Sequence, residues 1–136
     1  MKITTAKNIT LSLLLLSGLL SGAAIAASDI LAAKNGMTLY TFDKDKANSG
    51  KSVCVKDCAE MWPPVPVAEA SSSAAEYGSI ARADGFKQLT FRGQPLYFFG
   101  GDKDAGQANG DGMGGVWHVI HDAPKTTQTK SSAYSY

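Results

Sequence analysis

The chain contains a duplication, and this restricts the fold more than any other property of the sequence. Gly36-Met-Thr-Leu39-Tyr40-Thr-Phe42-Asp-Lys-Asp45-Lys46 aligns without gaps on Gly93-Gln-Pro-Leu96-Tyr97-Phe-Phe99-Gly-Gly-Asp102-Lys103, with six of eleven positions identical. Each copy then runs through a polar, glycine-bearing stretch to a tryptophan followed by apolar residues. These are Trp62-Pro63-Pro64-Val65 in the first copy and Trp117-His118-Val119-Ile120 in the second, with Tyr-to-Trp separations of 22 and 20 residues. Such self-similarity marks one structural unit used twice.

The repeated segment alternates with the period of a strand. Tyr40 and Phe42 share one face, as do Tyr97 and Phe99, and aromatic residues bounded by glycine and aspartate suit a pleated surface. Phe86 to Phe91 reads as a strand, Arg92-Gly93-Gln94-Pro95 as a tight turn into the second repeat, and Val116 to Ile120 as a closing strand. The serine- and alanine-rich stretch Ala68 to Ala75 is expected as a connector, with one helical turn reaching Tyr77. The fold expected is mainly β, a small antiparallel sheet or barrel built from two sequence repeats, about 30–67 and 86–121, within a domain spanning 27–123.

Both ends fall outside that domain. Lys2 and Lys7 give a basic start, Ile9 to Leu20 an apolar run and Ala24-Ile25-Ala26 a small-residue cleavage site, so residues 1–26 read as a signal peptide cut after Ala26. The twelve-residue run, interrupted by Thr10, Ser12, Ser17 and Gly18, is shorter than the about twenty apolar residues of a spanning helix. The remaining 110 residues carry 11 basic and 12 acidic groups. That near-balance supplies no long-range field for nucleic acid. From Lys125 onward the chain is polar and aperiodic, and residues 124–136 are expected as a flexible tail.

Export places Cys54 and Cys58 in an oxidising compartment, where a matched pair becomes a disulfide. An extended strand would separate them by about 13 Å against a limit of roughly 7 Å between bridged Cα atoms, so the segment must turn. So short a loop adds only about 2 kcal/mol by chain entropy; it pins a local turn.

Tyr40-Thr-Phe42-Asp-Lys-Asp45 and Tyr97-Phe-Phe99-Gly-Gly-Asp102, with Cys54-x-x-x-Cys58-Ala-Glu-Met-Trp62-Pro63-Pro64, resemble the bacterial secreted-repeat family of unknown function. Its members are often called predicted lipoproteins with a Yx(F/W/Y)xxD motif. The resemblance runs from about Ile30 to Ile120. It implies an extracytoplasmic β-rich repeat, periplasmic or secreted, with no established activity. The chain departs from the lipoprotein members at Leu20-Ser21-Gly22-Ala23, where alanine stands in place of an acylated cysteine.

Several residue sets invite chemistry. Asp45 and Asp102, with Asp43 and Asp104 nearby, suggest calcium, but Ala47 breaks the spacing of the best-defined calcium loop, and aspartates after strands commonly accept backbone N–H bonds in turns. Copper or redox work is the second reading, using Cys54, Cys58 and His118 with Met37, Met61 and Met113. Against it, a strand puts His118 and His121 on opposite faces, and Asp57 disfavours a thiolate at Cys58. There is neither a Gly-x-Ser-x-Gly elbow nor a His-Glu-x-x-His pair, and Gly110-Asp-Gly-Met-Gly-Gly115 lacks the lysine of a phosphate loop. A hydrolase would need a pocket joining a histidine to an Asp or Ser. The recurring set Tyr40, Phe42, Tyr97, Phe99, Trp62 and Trp117 is accounted for by core filling, with a groove lined by Tyr hydroxyls and Trp edges as the alternative. The function expected is a non-catalytic binding or structural module of the cell envelope, engaging an envelope component or small ligand. The competing class is a metal-handling or redox protein.

Overall fold

The computed structural model describes residues 29–121. The expected signal peptide and tail lie outside the described residues. The elements in order are β1 (Tyr40–Phe42), helix α1 (Asp57–Met61), a 3-10 turn (Val67–Glu69), β2 (Tyr77–Ala81), β3 (Lys87–Phe91), β4 (Gln94–Pro95), a second 3-10 turn (Met113–Gly115) and β5 (Trp117–Val119). The five strands form two small antiparallel sheets, β1-β5 and β2-β3-β4. They do not close into a barrel.

A pair of backbone bonds joins the two sheets at the centre. The Tyr40 N–H donates to the Tyr97 carbonyl at 2.9 Å and the Tyr97 N–H to the Tyr40 carbonyl at 3.0 Å, so the two motif tyrosines are a directly opposed antiparallel pair. The backbone pairings that flank this pair are matched. Tyr40 lies opposite Val119 and Tyr97 opposite Pro64. The Asp43 N–H donates to the Val116 carbonyl, and the Gly100 N–H to that of Met61. The Leu39 N–H reaches Leu31, and the Leu96 N–H reaches Leu89. Leu31 in turn donates to Ile120, and Leu89 to Val65. The two repeats are thus related by a pseudo-twofold axis between Tyr40 and Tyr97, and they are interlaced. The segment after Trp62 lies on the second repeat, and the segment after Trp117 lies on the first.

Central strands of this kind are covered on both faces. Leu39 and Leu96 enter an aliphatic core with Leu31, Ala33, Val65, Leu89 and Phe91, while Tyr40, Phe42 and Tyr97 enter an aromatic core with Cys54, Trp62, Trp117 and Val119. Each large side chain removed from water contributes about 1.5–3 kcal/mol.

The hairpin from β3 to β4 turns at Arg92 and Gly93, which have φ of 49° and 79°. Two successive positive φ values make the two-residue turn whose twist matches the strands. A side chain at Gly93 would also place its Cβ 2.0 Å from the Asn48 side-chain oxygen. The expected turn is therefore tighter than drawn from sequence, and Gln94-Pro95 already belongs to β4. The expected helical turn before Tyr77 falls instead at Val67–Glu69, and Tyr77–Ala81 is a strand not anticipated. Its side chains are largely exposed and Gly78 leaves room for Thr90, so it carries no alternating apolar signal.

Interlacing has a measurable consequence. A protease site engineered into the exposed serines between Ser71 and Ala75 should yield a nicked chain whose halves co-elute as one species on native size exclusion and part only in denaturant. Separation of the halves under native conditions would show that each repeat folds on itself.

Candidate functional site

The motif side chains meet across the pseudo-twofold axis. The Tyr40 hydroxyl donates to Oδ2 of Asp102 at 2.7 Å, and the Tyr97 hydroxyl donates to Oδ2 of Asp45. Each tyrosine thus serves the aspartate of the other repeat. The second oxygen of each carboxylate accepts a backbone N–H from further along its own loop, Val53 for Asp45 at 2.7 Å and Asn109 for Asp102 at 3.0 Å. Both aspartates also close the turn after their strand, donating their own N–H to Phe42 and Phe99. All four groups are buried.

The aromatic rings form a column over the same axis. Phe42 stacks on Trp117 with centroids 4.2 Å apart, Trp117 stacks on Trp62 at 3.8 Å and 4° between planes, and Trp62 meets Phe99 at 4.5 Å. Tyr40 and Tyr97 abut Trp62 and Trp117 edge to face at 5.3 and 5.2 Å. Again each phenylalanine pairs with the tryptophan of the other repeat. Gly110 lies against this column, since a Cβ there would fall 2.6 Å from the Trp62 ring. With both tryptophans buried, no Trp edge is free to line a groove.

Burial first, and the neighbouring carboxylate second, push both phenols well above the ordinary tyrosine value. The two hydroxyls differ in their last partner. Tyr40 oxygen receives the Gly110 N–H at 3.3 Å, while Tyr97 oxygen lies 2.6 Å from the Ser52 hydroxyl. Because Tyr97 spends its proton on Asp45, Ser52 is the donor in that contact. Ser52 leads on to a polar cluster without a counterpart in the second repeat. Arg82 Nη1 donates to the Ser52 hydroxyl at 2.9 Å and to Gln88 Oε1 at 2.8 Å, and its Nη2 donates to the Cys54 carbonyl at 2.6 Å. Gln88 is fully buried and donates to the Leu96 carbonyl. None of Ser52, Arg82 and Gln88 stands in a motif, and sequence reasoning missed all three.

The remaining predicted residues sit apart. Cys54 and Cys58 form a disulfide with Cα atoms 5.2 Å apart, and the segment turns into α1. His118 Nε2 lies 2.9 Å from Asp43 Oδ2 at the surface, while Asp45 and Asp102 are occupied by tyrosine and backbone donors. Among the described residues no three His, Cys, Asp or Glu side chains gather as metal ligands would. The hydrogen-bond partners of the His118 side chain include no serine or cysteine.

An open depression of about 570 Å³ lies between the disulfide loop and the β2-β3 turn, lined by residues that include Lys51, Ser52, Lys56 and Arg82. A family model described as a secreted repeat of unknown function matches residues 28–66 and again 78–121. No curated protein and no solved structure matches the chain. Among the described residues no helix is long and apolar enough to cross a membrane.

Two outcomes follow. Tyr97→Phe leaves one buried oxygen of Asp45 without its donor, at a cost of about 1–3 kcal/mol, or a Tm lower by roughly 5–20 °C for a domain of this size. In a double-mutant cycle it should couple to Asp45→Asn in the other repeat and add independently to Asp102→Asn in its own, by thermal denaturation. The second outcome concerns pH. Unfolded tyrosines release their protons near pH 10, whereas Tyr40 and Tyr97 hold theirs in the folded state to higher pH. Stability from these phenols is therefore complete below about pH 10 and is lost as pH rises toward their raised folded values. A titration of phenolate absorbance should show them ionising together with the loss of folded circular dichroism.

Proposed function

Because the chain belongs to the family of secreted repeats of unknown function, we propose that it is a non-catalytic binding module of the cell envelope, built on a scaffold that the repeats themselves supply. One observation carries this reading: the groups that recur in both repeats are consumed in holding the repeats together. Both phenols, both motif carboxylates and the four-ring column have internal partners. Chemistry on a substrate needs groups poised within reach of it; these face one another.

What is left for a partner is the part of the surface where the twofold is broken. The disulfide loop, α1 and the hairpin through β2 belong to one side only, and the depression lies between them. Sites for small ligands are commonly concave, with volumes of about 300–1,000 Å³.

The reading is tested by presenting the exported protein with a panel of cell-wall fragments, envelope lipids, short organic acids, copper and calcium, following Tm and analysing the compounds by mass spectrometry. The expected result is an organic compound that raises Tm and is recovered unchanged. Conversion of any compound would overturn the non-catalytic reading. Stoichiometric retention of copper or calcium would overturn it in favour of metal handling.

A further inference from the structure

The depression is strongly biased in charge. Lys51, Lys56 and Arg82 line it, with Asp84 as the only carboxylate in the lining, and Val55 and three alanines supply its apolar part. Val55 is about half exposed, so its side chain is accessible from the depression. The ion pairs among the described residues are Arg92 with Glu76 and His118 with Asp43, so none of the three cations has a carboxylate partner there.

Arg82 is half-buried, and its three bonds go to neutral acceptors, Ser52, Gln88 and the Cys54 carbonyl. These bonds fix the guanidinium without neutralising it. Two of its five N–H donors remain for a ligand, and a fixed guanidinium fork suits carboxylate and phosphate oxygens.

Lys56 gives an independent sign. Its backbone has φ 54° and ψ −128°, a conformation that a residue with a Cβ resists and glycine adopts freely. It lies within the Cys54–Cys58 loop, where Cys58 donates to the Val55 carbonyl and Glu60 to that of Lys56. Strain kept by such over-determination concentrates at functional positions. Here it sets a lysine, where glycine would be easier, beside the depression.

Resting on the module reading above, we infer that this depression binds a small organic anion, with a carboxylate or phosphate head received by Arg82, Lys51 and Lys56 and a short apolar body laid against Val55 and the alanines. The head could belong to a free metabolite or to a lipid.

The test uses the exported protein and isothermal titration with hexanoate and hexyl phosphate, with hexylamine and hexanol as controls. The anions should bind saturably at one site and weaken as salt is raised, and the controls should not bind. Lys56→Gly is the decisive variant, because it removes the charge and relaxes the backbone together. Its Tm should equal or exceed that of the wild type, while affinity for hexyl phosphate falls about tenfold. Absence of saturable anion binding, or unchanged affinity in Lys56→Gly, would overturn the assignment. Flotation with phosphatidylglycerol vesicles, lost in the same variant, would assign the head to a lipid; no flotation alongside binding of hexyl phosphate would assign it to a soluble anion. If both anions fail while another panel compound binds unchanged, this site falls and the module reading stands. Hydrolysis of hexyl phosphate would overturn the module reading instead.

Discussion

Burying an ionised carboxylate is expensive unless hydrogen bonds replace its water, and this fold buries two. Asp45 and Asp102 each meet the cost with a backbone amide from their own loop and a phenol from the other repeat. Bonds from a hydroxyl to an ionised carboxylate are among the stronger ones available. Since the phenol comes from the other copy, neither repeat can satisfy its own aspartate. A folded single repeat would hold an acceptor without a donor and a donor without an acceptor. The polar pair therefore enforces association of the repeats, and it also enforces register. Slipping a strand by one residue would carry Tyr40 to the opposite face and leave Asp102 unserved.

The aromatic column depends on that register. Phe42 reaches Trp117, and Phe99 reaches Trp62, only when the strands after the two tryptophans lie on the opposite repeats. The aliphatic core behind them closes the other face of the same strands, so Leu39 and Tyr40, neighbours in sequence, are both fully buried in different cores. A small domain gains from this arrangement because each short central strand contributes two buried faces rather than one.

The local chemistry of these elements was legible in the sequence. Alternation at Tyr40-Thr-Phe42, the turn glycine at Gly93 and the Cys54–Cys58 spacing each report on a few neighbouring residues, and strands, hairpin and disulfide turn follow from them. Which tyrosine serves which aspartate was not legible. The pairing is decided by how the chain crosses between repeats, and a motif repeated identically is equally compatible with bonds inside one copy or between two. Strand β2 escaped notice because its position is set by pairing to β3 and not by burial of its own side chains. Arg82, Ser52 and Gln88 escaped for a related reason: they act on one side of a pseudo-symmetric molecule, and a search for repetition favours what both copies share.

Symmetry also separates scaffold from function. An interaction found on both sides of the axis explains itself by holding the two sides together, as the phenol–carboxylate pairs do. A feature found on one side needs another reason. At Tyr40 the final donor is a backbone amide, Gly110, which supplies the bond at no cost in charge. At Tyr97 the same requirement is met by Ser52, which draws in Arg82 and with it an unneutralised cation. The side with the serine also carries the disulfide loop and the strained Lys56. A disulfide closing so short a loop adds about 2 kcal/mol at most to the whole fold, so its greater effect is local, in confining the segment where that lysine stands. Stability alone would favour glycine at position 56; the sequence keeps a lysine there, on the one face the twofold does not use.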